Sequence, residues 1–335
     1  MQRYVEQADA CGIDGFEIAA DTQGMDKVLL FEEFPKVAAG VDRVEVLETR
    51  RRLNACVDLA HAAGKRVVYW HREVVAPKGI MEDRPDLLDA DGEIDFKGEA
   101  YWEYLRGKIR AFLKAVPEID GIVLTLTESH YSVINNSNPK KNPPEEVAAR
   151  MISTFVGELK AHRKTFVFRT FGSIRRDYEI LTKAADLAST DCDFEVETKI
   201  VPFDWSLVLP LNPYLRRPAR GALGAEFDLI GEYMGMGEIP CLQPDRIVEQ
   251  VRHAQRTGCD RLVARIDRWG RTFLDSVNRI NVFAFSRAAR DPEITTDAIW
   301  EEWATREWGE AAAELLPVMK SSQEMVLKSH YVDGH

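Results

Sequence analysis

The sequence has few of the features that mark several common protein classes. Its five cysteines are odd in number and form no CxxC pair, so neither a disulfide framework nor a zinc-binding pair is indicated. No run of apolar residues approaches the roughly 18 that would suggest a transmembrane helix. Acidic residues outnumber basic ones, and the net charge of −11 disfavours nucleic acid and anionic membranes as partners.

Several motifs are also missing. There is no GxGxxG, no GxxxxGK[ST], no GxSxG and no HExxH, so a dinucleotide site, a P-loop, a serine nucleophile and a zinc protease site are all disfavoured. His71 and Glu73 close one apolar run and His130 follows another, but their spacing matches no metal motif. We therefore predict neither a metal nor an organic cofactor.

The N-terminal segment is polar and helical in period, which differs from a signal peptide. Together with the unpaired cysteines, this favours a cytoplasmic location for the sequence as it stands. A start further upstream would leave the compartment undetermined.

What the sequence does contain is a regular alternation of helix-type and strand-type segments. Strands are predicted near residues 15, 68, 124, 167, 197, 227 and 264, with helices over 2–11, 46–63, 98–115, 144–162, 175–188 and 244–257. Such alternation predicts a parallel sheet, here an α/β fold of the (β/α)8 TIM-barrel type that is short of one strand. We assign residues 1–276 to the barrel and 277–335 to a partial C-terminal helical region; a doubly wound sheet is disfavoured without a glycine fingerprint.

Three strand-type runs finish in an acidic residue, namely Glu128 in LTLTESH, Asp204 in IVPFDW and Glu232 in LIGEY. Catalytic groups of α/β barrels lie at the carboxyl ends of strands, so we expect these three carboxylates to meet in one cleft. Carboxyl pairs are what glycosidic bond cleavage requires. A helix cap or a salt bridge is the alternative explanation for each.

Two cations, Arg169 and Lys199, interrupt otherwise apolar strands and need anionic partners if they are buried. Those partners are either neighbouring carboxylates, such as Glu195 or Glu226, or an anionic substrate. Tryptophans lie at or just after three strand ends, where they stack on a sugar or pack beneath a loop: Trp70, Trp205 and Trp269.

Several segments resemble the family 67 glycoside hydrolases, the α-glucuronidases. AEFDLIGEYMG is similar to that family's EFQITQEYLG, VETKIVPFDW to QIKNGPIDF, FVFRTF to WRAF, and RIDRW, which supplies Arg265, to RDENW. NVFAFSRAARDPEITTDAIWEEW is similar to the segment that opens the family's C-terminal helical domain. The resemblance covers roughly residues 98–310, and the family's first barrel strand has no counterpart.

The resemblance implies an inverting enzyme that removes terminal α-linked glucuronic acid, or its 4-O-methyl ether, from xylan-derived oligosaccharides. Glu128 then matches the acid, and Asp204 and Glu232 match the pair that activates water. Arg169 and Lys199 match the groups that bind the uronate carboxylate. Substrate contacts are also expected from Trp70, Trp205, Arg265 and Trp269.

Three other functions stay open. A retaining barrel glycosidase would use Glu128 and Glu232, and a metal-dependent isomerase or lyase would use Glu73, Asp204 and Glu232. The third is a sugar-binding remnant without activity. The expected partner is an oligosaccharide that carries a uronic acid, and a homodimer is left open.

Overall fold

The computed structural model describes residues 1–19, 24–73, 77–127, 133–136, 138–235, 238–268 and 271–331. Seven parallel strands follow one another in the sheet in chain order. They are β1 Gly15–Ile18, β2 Arg66–Arg72, β3 Gly121–Thr125, β4 Thr165–Arg169, β5 Glu195–Lys199, β6 Leu223–Asp228 and β7 Arg261–Arg265. The predicted fold is confirmed: an α/β fold of TIM-barrel type, one strand short of eight in the described ranges.

The six helices predicted with bounds are present, while three short helices lie in stretches that were predicted as loops. The helices are α1 Gln2–Cys11, α2 Pro35–Ala38, α3 Arg43–Ala62, α4 Ile80–Asp83, α5 Ala100–Ala115, α6 Val133–Asn136, α7 Pro144–Ala161, α8 Arg175–Ala188, α9 Pro244–Thr257, α10 Arg279–Arg290, α11 Thr296–Trp308, α12 Ala312–Lys320 and α13 Ser322–His330. A short antiparallel pair, β8 Asp267–Arg268 and β9 Arg271–Thr272, follows β7. None of the helices in the described ranges combines the length and the apolar character needed to cross a lipid bilayer.

The chain divides into two compact units. The first unit comprises residues 1–5, 14–196 and 218–221, and the second comprises 6–13, 197–217 and 222–335. The predicted domain limit at residue 276 stays a prediction.

The first unit is built on β1 to β4. In β2 the buried positions alternate with less buried ones, as expected for a strand with two different faces, whereas every residue of β3 is buried. Gly121 begins β3 because a Cβ there would lie 2.4 Å from the carbonyl oxygen of Thr165 on β4. Helix α5 packs one face against this sheet with a stripe at helical spacing, in which Tyr101, Leu105 and Phe112 are buried.

The second unit contains β6, β7 and the C-terminal helices. Helix α10 carries two fully buried asparagines, Asn278 at its N-cap and Asn281 in its first turn. Asn281 accepts a hydrogen bond from the Gln243 N–H (2.8 Å) and donates to the carbonyl oxygens of Leu229 (3.3 Å) and Cys241 (3.1 Å). A side-chain amide can satisfy several backbone groups at once, so α10 fixes the loop after β6.

Candidate active site

Polar residues occupy the last positions of four consecutive strands. Arg169 ends β4, Lys199 ends β5, Asp228 ends β6 and Arg265 ends β7. In barrel enzymes the chemistry is done at this edge, where the strands give way to loops. Asp204 and Glu232 lie five and four residues beyond their strands rather than at the strand ends themselves. The sheet pairing stops earlier than the β-type composition suggests.

Lys199 is the centre of the site in the second unit. Its side chain is 2% exposed, and its ammonium group donates to the Phe203 carbonyl oxygen (2.9 Å) and to Asp204 Oδ1 (3.2 Å). Asp204 is 51% exposed, so solvent and ligands can reach its carboxylate. Phe203 adopts a φ of +58°, an unfavourable conformation for a residue with a side chain, and such strain often accompanies functional loops.

The loop that carries Asp204 is held at several backbone positions. Asn212 donates to the Lys199 carbonyl oxygen at 2.9 Å, and its own N–H donates to the Ile200 carbonyl oxygen at 2.9 Å. Further along, the Arg246 guanidinium binds the carbonyl oxygens of residues 206, 207 and 209. These contacts fix the loop without using Asp204 or its neighbour Trp205.

Trp205 lies beside both cations of this unit. The Lys199 ammonium is 4.5 Å from the centre of an indole ring, and the Arg265 guanidinium carbon is 6.0 Å from it, which are cation–π distances. Trp205 is 3% exposed, and its Nε1 has no hydrogen-bond partner among the described residues. The structure places this indole beside two cations. Its stacking on a sugar stays a prediction.

Arg265 is paired with carboxylates from two positions. It forms a hydrogen-bonded ion pair with Glu232, and its Nη2 lies 3.5 Å from Glu226 Oε1. Both acidic side chains are buried. Each predicted cation of this unit therefore has a carboxylate partner: Asp204 for Lys199, and Glu232 with Glu226 for Arg265.

Asp228 belongs to the site although the sequence analysis did not select it. Its carboxylate accepts hydrogen bonds from the Glu232 N–H (2.8 Å) and the Gly231 N–H (3.3 Å). Burial raises the pKa of Asp228 to about 6, and the Glu232 carboxylate raises it too; the Glu232 N–H and Arg265 act in the opposite direction. A signal was present, because Glu226 and Asp228 lie on one face of β6 at the period of a strand.

The other predicted residues belong to the first unit or fall outside the described residues. Arg169 is buried in the first unit, with its guanidinium carbon 5.0 Å from the Phe171 ring centre. Trp70, also in that unit, is partly buried beside Arg72. Glu128 and Trp269 are outside the described residues.

A separate group of buried charges follows β2 in the first unit. Lys108 of α5 lies 2.9 Å from both Glu73 Oε1 and Asp26 Oδ1. His71 Nδ1 accepts the Met25 N–H, so the proton is on Nε2, which donates to Glu73 at 2.6 Å. Glu73 is thus bonded within this group, and the described residues contain no cluster of three or more acidic, His or Cys side chains suited to a metal ion.

Neither a family model nor a curated protein sequence matches the chain. In structure the chain is similar to a family 138 glycoside hydrolase that targets pectin rhamnogalacturonan II, with a TM-score of 0.68 and 12% identity, over 96% of this chain and 38% of that one. It is also similar to a variant of an O-GlcNAc hydrolase from Thermobaculum terrenum, with a TM-score of 0.55 and 12% identity, over 95% of this chain and 61% of that one.

A third similar structure is a family 5 glycoside hydrolase variant from Prevotella bryantii in complex with a xyloglucan tetradecasaccharide. Its TM-score is 0.51 at 12% identity, and the match covers 86% of each chain. At this identity the three structures share the fold with this chain, and the chain spans less than two thirds of the first two. Membership of family 67 stays a prediction.

Proposed function

We propose that this protein is a glycoside hydrolase acting on an oligosaccharide that carries a uronic acid. One observation carries the proposal. A half-exposed carboxylate, Asp204, is held by the buried Lys199 beside Trp205, and the ion pair of Arg265 with Glu232 belongs to the same unit. Carboxylates grouped at the ends of parallel strands can cleave a glycosidic bond, and neighbouring cations can bind the carboxylate of an acidic sugar.

Hydrolysis of a glycosidic bond needs a proton for the leaving oxygen and a carboxylate for the attacking water. Asp204 suits the second role because it is the accessible carboxylate of the group, and water must reach a general base. Glu232 is its proposed companion and is held in one orientation by Arg265. The acid remains Glu128, as the family 67 resemblance implies.

The two cations suggest what the sugar carries. Lys199 and Arg265 lie in largely buried positions, and a sugar carboxylate could share the donors that now bind Asp204 and Glu232. The family 138 enzyme that shares this fold targets pectin rhamnogalacturonan II. Glucuronic acid and its 4-O-methyl ether on xylo-oligosaccharides are the narrower substrates we propose.

The direct test incubates the protein with acidic xylo-oligosaccharides and with rhamnogalacturonan oligosaccharides. The uronic acid released from each is measured by chromatography. Asp204→Asn should lower turnover roughly 10²- to 10⁴-fold, the usual contribution of a general base. Asp297→Asn is the matched control, because its side chain is 80% exposed on α11. NMR of the first product formed decides between inversion and retention.

Three outcomes would count against the proposal. If Asp204→Asn keeps full activity, Asp204 is not the base. If the neutral hexose analogue is cleaved as fast as the uronic acid, the cations do not select the substrate. If saturable sugar binding occurs without any product, the protein is a sugar-binding module.

A further inference from the structure

The turn after β6 is closed by a carboxylate that is not one of the proposed catalytic groups. Asp228 accepts the N–H groups of both Gly231 and Glu232, at 3.3 Å and 2.8 Å. Gly231 has a φ of +80°, which residues with a side chain rarely adopt, and this conformation lets the chain fold back over Asp228. Asp228, the last residue of β6, therefore fixes the backbone of Glu232.

The same turn is fixed at its other end to β7. The Leu229 N–H donates to the Arg265 carbonyl oxygen at 3.0 Å, while the Arg265 guanidinium pairs with the Glu232 side chain. Asn281 binds the Leu229 carbonyl oxygen. The position of the Glu232 carboxylate thus depends on a ring of contacts, in which the bonds to Asp228 weaken when the Asp228 carboxylate takes up a proton.

We infer that Asp228 is a positioning residue: its ionised carboxylate holds Glu232 against Arg265, and its protonation loosens the turn. The inference rests on the proposed function, in which Glu232 helps to activate water. Charged acceptors form hydrogen bonds about twice as strong as neutral ones, so adding a proton weakens the hold on both N–H groups. Asp228 does not touch the sugar in this scheme.

The groups around Asp228 determine the pH at which the turn loosens. Burial raises the pKa of its carboxyl to about 6, and the neighbouring Glu232 charge raises it as well, whereas Arg265 from β7 lowers it. Cys241 is the third titratable neighbour, and burial together with the Asp228 charge raises the pKa of its thiol to about 12, so it stays neutral. The turn should therefore loosen as the pH falls through about 6.

The test compares the pH profile of kcat/KM for the native protein and for Asp228→Asn, with the acidic xylo-oligosaccharide as substrate. The native protein should lose activity as the pH falls through about 6. The asparagine variant cannot titrate and keeps a single acceptor, so it should be about tenfold slower at neutral pH without that acid limb. Asp228→Glu, which restores a carboxyl group, should restore the limb. An unchanged limb in Asp228→Asn would overturn the inference.

A measurement without substrate separates this inference from the proposed function. In an NMR titration of the ligand-free protein, the amide signals of Gly231 and Glu232 should move together with a midpoint near 6, and they should stay still in Asp228→Asn. Amides that do not move in the native protein overturn the inference, whatever the activity. If these amide signals move but the protein has no glycosidase activity, the inference about Asp228 is supported and only the proposed function is refuted.

Discussion

The Lys199 ammonium lies 3.2 Å from Asp204 Oδ1, and the two side chains differ greatly in exposure, at 2% for the lysine and 51% for the aspartate. Lys199→Met should therefore cost little stability, because it removes a buried charge while leaving its partner hydrated. It should raise KM for the uronic acid substrate about tenfold or more, which corresponds to about 1.4 kcal/mol.

Michaelis–Menten kinetics on the acidic substrate and on its neutral hexose analogue check this prediction. Lys328→Met serves as control, because that lysine is 75% exposed on α13. Equal losses on both substrates would mean that Lys199 supports the loop and does not bind the carboxylate.

Trp205→Phe should be tolerated better than the same change at another buried tryptophan. Trp102 donates its Nε1–H to the Phe96 carbonyl oxygen at 3.0 Å, whereas the Trp205 Nε1 is buried without an acceptor in the described part of the chain. Losing the Trp102 donor leaves the Phe96 carbonyl oxygen with only the 3.3 Å bond from Arg150 Nη1, and one hydrogen bond contributes roughly 1 kcal/mol. Losing the unsatisfied Trp205 donor removes no hydrogen bond. Denaturant unfolding should show Trp102→Phe to be at least about 1 kcal/mol more destabilising; the reverse order would contradict the assignment.

Lys108→Met should destabilise the first unit by roughly 3–5 kcal/mol, since it leaves Glu73 and Asp26 buried without their cation. Burial already raises the pKa of Asp26. The variant should regain part of its stability when Asp26→Asn is added, which removes one of the stranded charges. Lys114→Met on the exposed face of the same helix is the control, expected within about 0.5 kcal/mol of the native protein. Urea unfolding measures all three, and a loss below about 1 kcal/mol for Lys108→Met would show that the charges are hydrated.

Asp228 should make the free energy of unfolding depend on pH in the acidic range. Because its pKa is raised from 3.8 to about 6, the folded state binds the proton more tightly than the unfolded state does. The stabilising contribution is complete below the unfolded pKa and is lost as the pH rises through about 6, up to roughly 3 kcal/mol in total. The free energy of unfolding of the native protein, relative to Asp228→Asn, should fall by roughly 2 kcal/mol between pH 4 and pH 7, the remainder of the change lying below pH 4. A difference that stays constant with pH would contradict the raised pKa.

The fold was predictable because each strand and helix carries its own periodic signal. The buried run of β3 and the alternating pattern of β2 are both visible in sequence, and so is the helical stripe of α5. Where pairing stops was not predictable. Asp204 follows residues of β-type composition, yet β5 ends at Lys199, because hydrogen bonding to a neighbour decides a strand end.

Part of the candidate site consists of residues that the sequence analysis selected, and their functional roles stay predictions. Lys199 was recognised because a cation inside an apolar strand needs a partner, but the identity of that partner depends on how the loop folds back. Asp228 was missed because an aspartate before a glycine resembles an ordinary turn residue. Lys108 had a signal that was not used, since it lies four residues from Tyr104 and from Phe112, within the buried stripe of α5.

The buried asparagines of α10 have a consequence for synthesis. The backbone groups of Leu229, Cys241 and Gln243 precede these asparagines in the chain by 37 to 52 residues, yet they are satisfied by Asn278 and Asn281. A nascent chain that has emerged from the ribosome only as far as β7 contains the seven parallel strands described above but no partner for those groups. The backbone groups of Leu229, Cys241 and Gln243 gain these partners only after Asn281 has left the exit tunnel, so the strands are synthesised before the side chains that hold the loop after β6.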